Sequence, residues 1–417
     1  MNDEKFALRQ KTRRNYILRV ALNGLGKMWK AKWPMCLIAL AAAAVTYLTL
    51  ATQSFFDQLT ALATVFVFCV GVPVVAYLVG YVPSAWTIYE DMVRIGMVNA
   101  ADEAPVLFER WHKEGNLYAM RFWAKGFPLG VWEDMKEKIE TALNISIVQF
   151  DEGMSKREMI VVYVPGNIVL PRVIAWKPEM LSSNDFELAL GESVMGPVYI
   201  DLAQIPHVLI GGITSSGKTC LLKLIGGQVL EKNAELLIVD YKGADYFRFY
   251  GRTKIVGNND QFANVLDRLA NELDTRKALL AQQKCHNISE YNANGNTLRR
   301  IVLIIDEASF VFDTTGIISK EDKETVSKIL GAVINLTRVG RFVGIHVIVA
   351  TQRPDTSSVP GALKANLGIR ICARMPDVAT STVILDDGSA TNLPPIKGRF
   401  LLRDGSGTDT IFQAYLY

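Results

Sequence analysis

The octapeptide Gly212-Ile213-Thr214-Ser215-Ser216-Gly217-Lys218-Thr219 constrains the fold more than any other feature, since it follows an apolar run and opens an apolar-periodic helix. A glycine-rich loop of this spacing lets the backbone wrap closely, so that successive N–H groups and a helix N-terminus face an anion. Lys218 adds charge, Thr219 offers a hydroxyl to Mg²⁺, and Cys220 closes the cradle, so residues 212–220 read as a phosphate-binding segment for ATP. The strand before it is Pro206-His207-Val208-Leu209-Ile210-Gly211, and the helix after it runs from Cys220 to Leu230. A second run, Ile301-Val302-Leu303-Ile304-Ile305, ends in Asp306 and Glu307. That is how a central parallel strand delivers carboxylates to the phosphate end of a sheet. In this pairing Asp306 is the residue to hold Mg²⁺, and Glu307 is the one to orient and deprotonate an attacking water.

The remaining pattern beyond residue 196 alternates strand and helix, with strands near 207–211, 235–240, 301–306, 345–351 and 368–374. Such alternation predicts an α/β unit with a predominantly parallel sheet. A last pair near 398–403 and 410–416 reads as an edge hairpin. Upstream, residues 90–195 mix short helices and strands around several aromatics and are expected to form a small α+β adaptor, with a helix around Val131–Leu143 and a strand from Glu158 to Val164. No chemistry is legible there.

From Trp33 to Tyr89 the only charged residue is Asp57, which splits the stretch into apolar runs near 34–55 and 59–82. Each exceeds the about 20 residues that cross a bilayer as a helix, so 33–89 is expected to be a two-helix transmembrane hairpin. The arm before it, residues 1–32, carries Lys5, Arg9, Lys11, Arg13, Arg14, Arg19, Lys27, Lys30 and Lys32 against Asp3 and Glu4. By the positive-inside rule this arm is cytoplasmic, and two spans return the chain to the same side. The expectation is a two-pass protein of the bacterial inner membrane with the ATP site in the cytoplasm. Residues 6–25 fit either an amphipathic helix on anionic lipid or a solvated charged arm.

A formal net charge of +3 over 417 residues gives no global nucleic-acid footprint. Five cysteines without a CxxC pair or clustering with the four histidines indicate neither a zinc site nor a disulfide framework.

Several strings are more specific than the phosphate loop. Glu187-Leu188-Ala189-Leu190-Gly191-Glu192, Asp201-Leu202-Ala203, Gly344-Ile345-His346, Ala350-Thr351-Gln352-Arg353-Pro354, Leu363-Lys364-Ala365-Asn366 and Arg370 resemble the corresponding segments of the FtsK/SpoIIIE family of DNA translocases over about residues 185–417. The resemblance implies a RecA-like motor in residues 196–417 that assembles as a homo-hexameric ring, burns ATP at subunit interfaces and moves DNA without regard to sequence. It implies that Gln352 senses the γ-phosphate and that Arg338, Arg341 or Arg370 reaches a neighbour's nucleotide. Lys242, Arg248, Arg252 and Lys364 are candidate DNA contacts, with solvated surface charge as the ordinary alternative.

The chain departs from that pattern at Asp240-Tyr241-Lys242, where the family has Asp-Pro-Lys, and it ends just after the motor. These departures resemble the compact coupling proteins of conjugative elements, TcpA-type, which receive relaxase-bound DNA and drive it into a secretion channel. Single- and double-stranded cargo both remain open. A type VII-like protein-export ATPase, DNA translocation outside conjugation, an ABC transporter and an ATP-binding scaffold are the competing readings. The absence of an LSGGQ-like string speaks against the transporter, and Glu307 against the scaffold.

Overall fold

The computed structural model describes residues 17–18, 20–28, 70–243, 245–405 and 409–417. The chain divides into two compact units after Ile168. The boundary expected from sequence was 195/196. The difference arises because β5 (Ile174–Ala175), β6 (Glu187–Ser193) and β7 (Gly196–Asp201) add to the second unit's sheet.

In the first unit, helices α1 (Val72–Gly80) and α2 (Ala85–Arg94) precede an antiparallel sheet of β1 (Val106–His112), β2 (Tyr118–Trp123), β3 (Ile145–Glu152) and β4 (Glu158–Pro165), ordered β1-β2-β4-β3. Between β2 and β3 lie α3 (Leu129–Asp134) and α4 (Lys136–Leu143). One core joins Met92 of α2, Phe122 of β2, Trp132 of α3 and Ile139 of α4. The aromatic-rich composition is thus spent on packing, with the rings of Phe122 and Trp132 centred 5.4 Å apart. Among the described residues no helix is long and apolar enough to cross a membrane. The first expected span and the first part of the second, residues 59–69, lie outside them.

The second unit is built on one mixed sheet. Strands β8 (Val208–Gly211), β9 (Glu235–Val239), β10 (Lys254–Val256), β11 (Ile301–Ile305), β12 (Ile345–Thr351) and β13 (Ile369–Ala373) are mutually parallel, in the order β10-β9-β11-β12-β8-β13. The helices α5 (Lys218–Glu231), α6 (Asn259–Gln282), α7 (Lys320–Val343) and α8 (Val378–Leu385) supply its long helical segments. Every residue of β11 and β12 is buried, which a strand covered on both faces requires and which accounts for their unbroken apolar runs.

Beyond β13 the pairing turns antiparallel, through β14 (Arg399–Arg403), β15 (Thr410–Leu416), β6 and β7. The hairpin of β14 and β15 is therefore interior, not at an edge as expected, because β15 is itself paired by β6. Burial of Phe400 and Phe412, stacked 5.8 Å apart, marks this interior position.

Two buried polar side chains tie the layers together. Gln228 of α5 donates from Nε2 to the Ala189 carbonyl at 2.8 Å and accepts from its N–H at 2.9 Å, where the β6–β7 register shifts. Gln228→Leu leaves both Ala189 groups without those partners, at about 1–3 kcal/mol each. Its urea midpoint is expected to drop with the m-value unchanged. His207 Nδ1 accepts from Val347 N at 3.0 Å, and burial pushes this imidazole down to about 4. The unfolded chain therefore takes up a proton between about pH 6.5 and 4 that the folded chain refuses. Stability is fully present above this window and falls as pH drops through it; a His207→Gln variant is expected to flatten that part of the urea-midpoint profile.

Candidate functional site

The parallel order places β8, carrying the phosphate loop, beside β12, and β12 beside β11, so the loops after these strands meet at one end of the sheet. Gly217 takes φ +104°, a conformation that disfavours side chains, and a Cβ there would stand 2.9 Å from Gly398 N. Ser215 also has positive φ, at +67°. The loop thus curls back on itself before α5 begins at Lys218.

Lys218 is 3% exposed. Its ammonium donates to the backbone carbonyl of Asp306, lies 3.3 Å from Asp306 Oδ1 and stands 3.9 Å from Glu307 Oε2. An ammonium held this far from water needs such acceptors. Both carboxylates are buried as well.

The two acids have different surroundings. Asp306 Oδ1 also accepts from the Tyr246 hydroxyl at 3.0 Å, whereas its Oδ2 is buried with no hydrogen-bond partner. Glu307 Oε1 accepts from Thr351 Oγ1 at 2.8 Å and Ser309 Oγ at 2.9 Å, and Gln352 N lies 3.0 Å from both its carboxylate oxygens. Gln352 Oε1 in turn accepts from Thr214 Oγ1 at 3.0 Å, so this side chain links the phosphate loop to the segment that grips Glu307. Gly212, Ile213, Thr214, Ser215, Ser216, Thr219 and Cys220 lie on the phosphate loop and the first turn of α5; a cleft of about 150 Å³ is lined in part by Ile213, Ser215, Thr219, Cys220 and Gln352.

The chemistry of this donor set fits a nucleotide with Mg²⁺. Among the described residues there is no cluster of three or more metal-ligating side chains. Mg²⁺ suits such a site, since it keeps waters and takes phosphate oxygens alongside one or two carboxylates. The partnerless Asp306 Oδ2 and the equally buried, partnerless Ser216 Oγ are the groups left over for ligands.

The three arginines do not converge here. Arg338 and Arg341 are exposed on the last turns of α7, which leads into the start of β12, whereas Glu307 and Gln352 meet beyond that strand's far end. Arg370 pairs in register with Leu209, toward the start of β8, and its guanidinium is bonded to Asp386, which Lys364 also reaches at 2.6 Å. Two residues of the site escaped sequence reasoning. Thr351, the last residue of β12, lay in a string singled out for its family resemblance but was given no role, and Tyr246 lies on a loop sixty positions from its partner Asp306 and carried no local signal.

Residues 170–311 match the FtsK/SpoIIIE family. The chain is similar to the DNA translocase FtsK of Campylobacter jejuni, 28% identical over 279 residues that cover 62% of this chain and 28% of that protein. It is also similar to the DNA translocase FtsK of Treponema pallidum, 34% identical over 221 residues, covering 49% and 26%. The chain thus spans little more than a quarter of the length of these two relatives. Among solved structures it resembles the pCW3 conjugation coupling protein TcpA, in a monomer form with ATPγS, at 29% identity and a TM-score of 0.59, covering 80% of this chain and 94% of that one. With its phosphate loop and paired acids inside the matched segment, the chain carries an FtsK/SpoIIIE domain, the domain of a family of P-loop ATPases.

Proposed function

We propose that this protein is a membrane-anchored, ATP-driven DNA translocase that acts as a coupling protein in conjugative transfer, working as a homo-hexameric ring with relaxase and secretion-channel partners. The carrying observation is the convergence of Lys218, Asp306 and Glu307 beside the phosphate loop. It occurs in a chain whose fold follows that of a conjugation coupling protein.

When bound, Mg²⁺ offsets charge on the β- and γ-phosphate oxygens of ATP. Asp306 Oδ2 and the Thr219 hydroxyl are the groups to hold it. Lys218 supplies further positive charge to the phosphates. Glu307 orients and deprotonates the attacking water, and its fixed contacts with Thr351 and Gln352 N keep the carboxylate from turning away. Gln352 reports on the phosphate through Thr214. Arg338 and Arg341, exposed and remote from their own subunit's phosphate loop, suit a role toward a neighbour's nucleotide better than Arg370, whose charge Asp386 already engages.

The described flanks of the apolar stretch support membrane placement. Leu22 and Leu25 on the helical stretch 20–28 are exposed, as are Val74, Val75, Leu78 and Val79 on α1. A Cβ on Gly24 would strike the Ala76 carbonyl and one on Gly80 the Val20 carbonyl, so these helices touch backbone to backbone. Small residues at a close helix crossing are the packing that membranes favour.

ATPase assays on the full chain in detergent, with single-stranded, double-stranded and no DNA, test the reading. Lys218→Ala is expected to abolish turnover, and Glu307→Gln to retain ATP binding while slowing hydrolysis by about 10²–10⁴-fold. Wild-type turnover that ignores both forms of DNA would refute translocation, and full activity of the Lys218 variant would refute the site.

Tyr246 gives a finer test. Burial, reinforced by the neighbouring Asp306 carboxylate, raises its hydroxyl well above the usual tyrosine range, so it remains the donor. Tyr246→Phe should leave Asp306 less firmly oriented and raise the Mg²⁺ concentration for half-maximal turnover by about 3–10-fold, the equivalent of one hydrogen bond. Metal-free nucleotide affinity should stay unchanged; an unaltered Mg²⁺ titration would show that the hydroxyl does not position the aspartate.

A further inference from the structure

The first unit holds a cavity of about 700 Å³, lined by the helical stretch 20–28, by β1 and β2, and by the turn from β3 to β4. The helix is fixed to the sheet by Val20, buried in the unit's core, and by Asn23, whose Nδ2 donates to the Phe108 carbonyl at 2.9 Å. Leu22, Val106, Phe108 and Trp123 supply apolar walls. Four cations, Lys27, Arg121, Lys125 and Arg157, line it against two acids, Glu109 and Glu158, which leaves an excess of two positive charges. Both acids are already engaged: Glu109 Oε2 stands 3.0 Å from Arg121 Nη1, and Glu158 Oε2 accepts from Met154 N at 3.2 Å. Lys27, Lys125 and Arg157 have no ion-pair partner among the described residues, and the buried Nε of Arg121 finds no hydrogen-bond partner there either. Apolar walls with surplus cations and an unused donor suit a ligand that joins a hydrocarbon part to an anionic head.

We propose that this cavity binds an anionic phospholipid, its phosphate held by Arg121, Lys125 and Arg157 and the start of an acyl chain packed against Phe108 and Trp123. The proposal rests on the membrane placement read from the apolar stretch. In the sequence that stretch begins at Trp33, six residues after Lys27. At its other end lies α1, whose Gly80 meets the helix of the cavity at Gly24 and Val20. Leu22 is 60% exposed and yet lines the cavity, so the apolar surface of this helix runs into it. A lipid beside the helix therefore has a continuous apolar path inward. Guanidinium groups match phosphate oxygens in pairs, lysines add charge, and basic residues at the cytoplasmic face of a bilayer draw anionic lipid. A free phosphate would leave Phe108 and Trp123 uncovered. A zwitterionic lipid brings a cation of its own into a cavity that already has a surplus.

Calorimetric titration of the full chain in non-ionic detergent with dihexanoyl phosphatidylglycerol, dihexanoyl phosphatidylcholine or inorganic phosphate tests this. Phosphatidylglycerol should bind at least about tenfold more tightly than either of the others, through surplus charge in one case and apolar contact in the other. Lys125→Glu and Arg157→Glu, both at exposed positions that the fold does not depend on, should each weaken it by at least about tenfold. Lys113→Glu, an exposed reversal on the same unit away from the cavity, should change it less than about twofold. Inorganic phosphate binding as tightly as the lipid would overturn the lipid in favour of a free anion, and equal affinity for the two lipids would overturn the cationic head site. No loss in either cavity variant, or an equal loss in Lys113→Glu, would overturn the location. Recovery of the chain in the soluble fraction of its cells would instead overturn the membrane placement, whereas a membrane-bound chain without the lipid preference overturns the cavity alone.

Discussion

A lysine ammonium buried against two carboxylates is the constraint on which the catalytic end of this protein depends. Taking three charged groups out of water is costly unless each finds partners in a fixed geometry. Lys218 finds them in the carbonyl and carboxylate of Asp306, with Glu307 next. Those partners directly follow another strand, β11, so lysine and acids meet only when β8, β12 and β11 are aligned. The site is therefore a property of the assembled sheet. Its remaining hydrogen-bond capacity, on Asp306 Oδ2 and Ser216 Oγ, is not taken up by the fold.

The mixed character of the sheet follows from the same requirement. Parallel strands need crossover connections, and the six from β10 to β13 are linked through helical and loop segments that leave the catalytic loops at one end. An exposed edge at β13 would invite pairing with other chains. Instead β14, β15, β6 and β7 extend the sheet antiparallel, without longer crossovers. This extension brings Val173, before β5, and Pro394, Pro395 and Ile396, before β14, to line one cleft with Gly217 and Cys220.

How much of this was legible in the sequence depends on whether the information was local. Runs such as Ile301–Ile305 and Ile345–Thr351 were readable because a strand buried on both faces has no polar alternation to confuse it. The glycine spacing of the phosphate loop and the adjacent acids were readable for the same reason: the chemistry is written in consecutive residues. The unit boundary and the placement of the last hairpin were misread because the β15–β6 pairing joins residues more than two hundred positions apart, and β6 is an ordinary short strand until β15 lies beside it. Tyr246 was invisible because its contact with Asp306 depends on separate loops meeting.

The loop that carries Tyr246 has a further property. Asp240, buried at the end of β9, accepts from the N–H groups of Lys242 and Gly243, fixing the start of this loop, while Tyr246 anchors its middle to Asp306. Between and beyond these anchors Lys242 lies over the Phe310 ring, and Phe247 and Tyr250 face solvent. A surface segment tied at a buried point to the Asp306 carboxylate cannot shift without straining that hydrogen bond.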